Sequence, residues 1–370
     1  MFRIKTIALT FVIALIATNA FACSIFTASK NSVILAGNNE DMIDPDTNVW
    51  FIPAADGLFG RAYFGFDVGF PQGGMNDQGL FFDCAATKPH MFKHSSEREE
   101  YEGNVFEKML GECVTVDDAL EIVGNYDLSH MFRFQVLIAD KSGDAAIIEG
   151  ETVIRKDGDH LVLTNFRQSL NEENPFSLDR FTTADSMLKE STTISVELFQ
   201  SVLAATCQTK DSPTQYSTVL DLNSGEMHIN LFQNYDDTVT LNIHNELAKG
   251  AHSIEIASLF EKPNDAYEAF KAKAVFEERI PGTADPSVYP ILSGIYEVMP
   301  SLRFTISEEN DKLYGRMHGF ARYELIPAGE SKYFFREMKA SFTFVKNDSG
   351  NVESLVFNMY GQEMPAKKIQ

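Results

Sequence analysis

The sequence predicts an α+β or layered chain followed by a small all-β domain, and three observations carry that expectation. Over roughly the first two thirds of the chain, strand-like blocks flank helix-like blocks instead of alternating with them one by one, which argues against a βαβ series. After Pro290 the texture changes to short strands at regular spacing, separated by turn residues, as in a small antiparallel barrel or sandwich. Hydrophobic residues make up 44% of the chain and include 30 Phe, enough to fill a core in each part.

Residues 1–22 read as a secretory leader: Arg3 and Lys5, then an apolar run over 7–17, then the small-x-small triplet Ala20-Phe21-Ala22. The apolar run is too short for a good membrane span. Cleavage after Ala22 would leave Cys23 as the first residue, carrying a thiol and a free α-amine together. That amine has an ordinary pKa of about 7.7–8.0, so near neutral pH it can take the thiol proton. A cysteine behind a leader can instead be a lipidated anchor or half of a disulfide. Lipidation favours a Leu-type residue three positions earlier, where Ala20 stands.

Strands are expected over 24–29 and 33–37, joined by a turn at Lys30-Asn31, so that a hairpin begins at Cys23. Further strands follow over 49–52, 61–66 and 80–85, with Gly73-Gly74 and Asn76-Asp77 as turn punctuation. Thr115, with Asp118 three residues on, caps a helix over 116–123. Residues 132–139, 145–149, 152–154 and 161–164 read as strands, and 181–188 and 196–205 as helices. A hairpin over 216–222 and 226–232 turns at Asn223-Ser224-Gly225. Residues 252–279 read as helical and end at Pro281-Gly282. Seven short strands follow, over 294–299, 303–307, 312–317, 323–326, 333–336, 341–346 and 352–359. The expected organisation is a leader at 1–22, a first domain at 23–250, a helical linker at 251–285 and a β-domain at 286–370.

The net charge of −22, which becomes −24 once Arg3 and Lys5 leave with the leader, repels nucleic acid and anionic membrane surfaces. The cysteines are Cys23, Cys84, Cys113 and Cys207. If Cys23 is catalytic, three remain and at most one internal disulfide can form. No CxxC, HExxH or HxH spacing occurs, so structural zinc is not indicated, and no metal or organic cofactor is implied.

Five features stand in order behind the leader: Cys23; Gly37-Asn38-Asn39-Glu40-Asp41 at the end of the second strand; Gly74-Met75-Asn76-Asp77-Gln78-Gly79-Leu80; Thr164-Asn165; and Arg180-Phe181. This set resembles the choloylglycine hydrolase family, which includes bile salt hydrolases and penicillin V acylases, over about residues 23–250. The stretch 216–236 is similar to the linear amide C–N hydrolase branch. The resemblance implies an αββα sandwich of the N-terminal-nucleophile hydrolase type, with no cofactor and a small-molecule amide as substrate. It also implies roles. Cys23 would be the nucleophile, with its own α-amine as base, and Asp41 would orient the thiol or amine. Asn165 would hold the amine or present its NH₂ to the reacting carbonyl. Arg180 would lie near Cys23, favour the thiolate and pair with a carboxylate.

Two positions depart from the bile salt hydrolase pattern. Asn38 stands where those enzymes carry an active-site arginine, and Ala86 where they carry an asparagine of the oxyanion hole, with Asp83 and Thr87 nearby. The substrate expected is therefore another linear amide: an N-acyl amino compound, an N-acyl lactone or a penicillin-like amide. The same departures keep open a catalytically silent ligand-binding relative, and acylation of Cys23 would make it a lipid-anchored one. The segment from Gly294 is similar in texture to a small β-domain appended to some serine β-lactamase-related hydrolases, and a part in substrate capping or dimer contact is expected of it. The protein is expected to be secreted or periplasmic, with a homo-oligomer left open.

Overall fold

A computed structural model describes residues 23–92, 97–170, 175–276 and 278–370. The expected leader at 1–22 lies outside the described residues.

Strands β1 (Ser24–Lys30) and β2 (Val33–Asp41) form the expected hairpin, but it turns at Asn31-Ser32, both at positive φ (51° and 68°). Next come β3 (Asn48–Ile52), β4 (Arg61–Gly65), β5 (Gly73–Asn76) and β6 (Phe81–Ala86), then helices α1 (Val105–Glu112) and α2 (Val116–Gly124). Thr115 and Asp118 make the expected capping box. Strands β7 (Phe134–Ala139), β8 (Ala145–Glu149), β9 (Thr152–Arg155) and β10 (His160–Leu163) precede helices α3 (Pro175–Glu190) and α4 (Val196–Thr206). After β11 (Thr214–Asp221), β12 (Glu226–Leu231) and β13 (Thr238–Asn242) come α5 (Ile243–Leu247), β14 (His252–Glu255), α6 (Asp265–Lys271) and α7 (Tyr289–Leu292).

These strands make two antiparallel sheets, ordered β10-β1-β2-β11-β12-β13 and β14-β3-β4-β5-β6-β7-β8-β9. Strand periodicity sends alternate residues to opposite faces. Ile25, Ala36, Phe64, Phe81, Leu137 and Ile229 fill the space between the sheets. Phe26, Leu35 and Val219 turn outward to meet Phe199 and Val202 of α4, and Phe82 and Val136 turn outward to meet Met109 of α1 and Ala119 of α2. The result is the four-layer αββα sandwich. Among the described residues, no helix is long and apolar enough to cross a membrane.

The helical reading of 252–279 is corrected. His252–Glu255 is an edge strand paired with β3, and among the described residues only Asp265–Lys271 forms an α-helix there. Ile256, Ala257, Phe260 and Tyr267 from this segment belong to the core between the sheets. Its apolar residues suit a helix face, but the open edge of β3 supplies a ladder that the pattern does not announce.

The β-domain is a closed antiparallel barrel: β15 (Gly294–Met299), β16 (Leu302–Glu309), β17 (Lys312–Met317), β18 (Arg322–Pro327), β19 (Lys332–Phe335), β20 (Ala340–Lys346), β21 (Val352–Met359) and β22 (Gln362–Lys368). The eighth strand goes beyond the seven expected. Pro365 and its charged neighbours disguise it, yet it pairs with β21 and closes on β15 at Tyr296 and Glu297. Phe304, Phe335, Phe342 and Phe357 pack at the barrel centre.

Charged contacts fasten the barrel to the sandwich. Lys339 donates to both Asp44 oxygens at 2.7 Å and to Asp46 at 2.9 Å. The Tyr323 hydroxyl donates to the Gly69 carbonyl at 2.7 Å. Buried His318 lies 3.0 Å from Glu100 and 3.3 Å from Asp127, next to Arg316, which also pairs with Glu100. The His130 ring stands 6.0 Å away, and burial holds it neutral, at about 4. Burial alone would lower His318, but its bonds to Asp127 and Glu100 outweigh this and the net shift is upward.

A base raised in the folded state contributes stability that is complete below its unfolded pKa, about 6.5, and is lost as pH rises through the folded value. His130, lowered in the folded state, gains stability as pH rises through about 6.5, whereas the raised carboxyls Glu40 and Asp41 lose it as pH rises, and these groups are present in both proteins. The difference between proteins is therefore the readout. From about pH 6 to about pH 8 the melting temperature of the wild type should fall further than that of His318→Gln. Parallel curves would mean that His318 carries no charge across this interface.

Candidate active site

The register of the first hairpin builds the site. Ser24 pairs with Asn39, so Cys23, one residue earlier, stands across from Glu40 on the inner face. Asn39 turns outward and donates to the Leu203 carbonyl of α4 at 2.9 Å. Cys23 is 3% exposed, buried where β1 begins between the two sheets. Its thiol donates to Glu40 Oε1 at 3.5 Å. Burial pushes the Cys23 pKa well above its ordinary value, and the Glu40, Asp41 and Asp83 charges push it further, against a hydrogen bond from the Asp41 backbone. The resting site thus holds a neutral thiol.

Arg180, on α3, reaches across to the start of β1. Its Nη1 donates to the Cys23 carbonyl at 2.9 Å and to Ser24 Oγ at 2.8 Å, and its Nη2 donates to Asn165 Oδ1 at 2.7 Å. The Asp41 carboxylate lies 3.7 Å from Nη1. Asp41 ends β2 across from Thr214, whose hydroxyl donates to Oδ1, while Gln208 Nε2 donates to Oδ2 at 2.8 Å. Burial raises Asp41 to about 7, with Arg180, Thr214 and Gln208 restraining it. Asn165, in the loop after β10, donates to the Ala86 carbonyl at 2.9 Å, which ties the end of β6 to Arg180.

The structure therefore brings Cys23, Asp41, Asn165 and Arg180 together, with Ala86 at the edge of the group. Asp41 makes contacts other than the thiol bond expected of it. Arg180 holds the Cys23 main chain and the Asp41 carboxylate, while Glu40, Asp41 and Asp83 act to keep the thiol protonated. The carboxylate that accepts from the thiol is that of Glu40, since the Asp41 side chain is taken by Thr214, Gln208 and Arg180. A turn at Lys30-Asn31 would have put Asn38 across from Cys23. The turn one residue later, at Asn31-Ser32, moves the pairing by two and brings Glu40 there. Asn38 lies on the same inner face and donates to Glu40 Oε2 at 3.3 Å and to Asp83 Oδ2 at 2.5 Å. The contacts of Glu40 and Asp83 were not foreseen from sequence; the signal for Glu40 was the two-residue turn, and Asp83 carried only the oddity of an acid within an apolar strand.

The family model described as acyl-coenzyme A:6-aminopenicillanic acid acyl-transferase matches residues 26–248. No curated protein matches the chain. Among solved structures, penicillin V acylase from Agrobacterium tumefaciens is 15% identical with a TM-score of 0.45, covering 62% of this chain and 90% of its own. Conjugated bile acid hydrolase from Clostridium perfringens is 18% identical with a TM-score of 0.47, covering 63% and 95%. The Caenorhabditis elegans ortholog of N-acylethanolamine-hydrolyzing acid amidase is 17% identical with a TM-score of 0.39, covering 54% and 93%.

Proposed function

The chain belongs to the acyl-coenzyme A:6-aminopenicillanic acid acyl-transferase family, and we propose that it is a secreted hydrolase that cleaves a linear amide C–N bond through Cys23. The observation that carries this reading is the Arg180 fork, which fixes the Cys23 carbonyl while binding Asp41 and Asn165 on its other contacts. A main chain held this firmly at a buried thiol is preorganised for attack.

While Cys23 is joined to Ala22 its nitrogen is an amide and holds no basic lone pair. Cleavage after Ala22 supplies the α-amine. Because its surroundings disfavour a free thiolate, proton removal and attack must be coupled: the amine takes the Sγ proton as sulfur bonds to the substrate carbonyl carbon. The proton then passes to the leaving nitrogen, the C–N bond breaks, and a thioester on Cys23 remains. Water adds to the thioester, giving the carboxylic acid and restoring the thiol. Asp41 and Asn165, each bonded to Arg180, orient the amine and the reacting carbonyl.

Both the α-amine and Asp41 take up protons as pH falls, Asp41 at about 7. Activity should therefore fall on the acid side, by at least about 30-fold between pH 8 and pH 6. A flat profile across this range would contradict the assigned base. The experiment that tests the reading is N-terminal sequencing and intact mass of the protein recovered from the medium or periplasm. A chain beginning at unmodified Cys23 is expected; a diacylglyceryl-bearing Cys23 would overturn the proposal. The protonated resting thiol favours one second reading, a ligand-binding relative without turnover, in which amides bind but are not cut.

A further inference from the structure

Beside the nucleophile the sheets enclose side chains for which the reaction above has no use. Glu40 stands across from Cys23, Tyr216 stands across from Glu40, and Asn38 lies two residues back along β2, all on one inner face. Asp83 meets them from the opposite sheet, set in β6 between the core residues Phe81 and Ala85. The Asn38 amide bridges the two carboxylates. Gly73, the register partner of Asp83, makes the room, because a Cβ there would overlap that carboxylate.

Donors and acceptors do not balance in this cluster. Asn38 Oδ1, Asp83 Oδ1 and the Tyr216 hydroxyl are buried and have no partner among the described residues. Buried polar atoms left unmatched are costly, and buried carboxylates without a cation more so. Among the described residues no Lys, Arg or His pairs with Glu40 or Asp83, and Arg180 is committed to Asp41. Nor is any group of three His, Cys, Asp or Glu among them placed to hold a metal ion. What would complete the cluster is a compact organic cation rich in donors. A primary ammonium brings three N–H donors and one charge.

We propose that Asn38, Glu40, Asp83 and Tyr216 form a subsite for a protonated primary amine on the acyl half of the substrate, making aminoacyl amides the preferred class. This rests on the amidase reading. The acyl half is indicated because Glu40 contacts Sγ, to which the acyl carbon becomes bonded, and Asp83 lies one amide bridge beyond. An amine on the α or β carbon is within that reach. Burial raises Glu40 to about 8 and Asp83 well above its usual range, a shift that a bound ammonium would oppose.

The test compares kcat/KM for alanyl-4-nitroanilide and propionyl-4-nitroanilide, which differ at the amino group, using protein that begins at Cys23. The alanyl substrate should be preferred by about tenfold or more. Asp83→Asn should bring the ratio close to one, and Tyr216→Phe, which removes only a hydroxyl, should lower it part of the way. Calorimetry with alaninamide should show binding that Asp83→Asn weakens. Equal values for the two anilides, or a ratio that survives Asp83→Asn in a protein that melts cooperatively, would overturn the subsite and leave the amidase standing. That result is also expected if the α-ammonium of Cys23 itself fills the cluster. Alaninamide binding without turnover of either anilide would keep the subsite and remove the amidase reading; neither binding nor turnover would remove both.

Discussion

Replacing Cys23 by Ala should abolish amide turnover, with a loss of about 10⁴–10⁶-fold in kcat, the range seen when a covalent nucleophile is removed. In the proposed mechanism the thiol is the group that bonds to the substrate, and no neighbour can replace it. Burial pushes the Glu40 and Asp83 carboxyls toward their neutral forms, Asp41 is occupied by Thr214, Gln208 and Arg180, and Ser24 Oγ accepts from Arg180. Labelling by iodoacetamide must be mapped peptide by peptide, because Cys84 and Cys207 are free and partly exposed. Label on the Cys23 peptide should vanish in the variant while label on the other two persists. The fold should hold, since losing one sulfur from a packed site costs about 1 kcal/mol. Turnover that survived Cys23→Ala would place the nucleophile elsewhere.

Arg180→Met should be nearly as damaging, for a different reason. The substitution keeps an apolar stem of similar length and removes the bonds to the Cys23 carbonyl, Ser24 and Asn165 together with the Asp41 ion pair. Asp41 is fully buried and already stands at about 7 with the guanidinium beside it. Without that restraint it should move higher and be neutral at physiological pH. Breaking a buried pair by removing one partner typically costs about 3–5 kcal/mol, which urea unfolding would register. We expect kcat to fall at least about 10²-fold, in line with the loss of a group that fixes the reacting geometry. The acid limb of the pH profile should also move upward, which a loss of packing alone would not cause. Arg180→Lys should restore the charge next to Asp41 but not the fork, so it should recover the position of the limb more fully than the rate.

How far the sequence could be read follows from which signals are local. The hairpin at Cys23, the Thr115 capping box and seven barrel strands are written in periodicity and turn chemistry, so they were legible. Helix α1 carried a local signal as well: the Asn104 side chain caps it by accepting from the Phe106 amide, and Val105, Phe106, Met109 and Leu110 are buried. Strands β5, β14 and β22 were hidden because their residues do not look like strand. Gly73 and Gly74 read as a turn, yet they form β5 because a Cβ on either would collide with Asp83 or with the Ala62 carbonyl. Pro365 concealed β22, and the edge that receives β14 exists only once β3 is in place.

For the site, the resemblance to the choloylglycine hydrolase family grouped Cys23, Asp41, Asn165 and Arg180, but it could not supply their contacts. The partner of the thiol depended on where a two-residue turn fell. Asp83 depended on how the two sheets stack, which no spacing along the chain expresses.

The most direct measurement is the mass of the mature protein trapped in acid during a single turnover of an acyl 4-nitroanilide, followed by peptide mapping. A chain that begins at Cys23 and carries the acyl mass on that residue is the predicted result. Release of nitroaniline with no acyl mass on the Cys23 peptide, or a chain in which Cys23 is not the first residue, would contradict it.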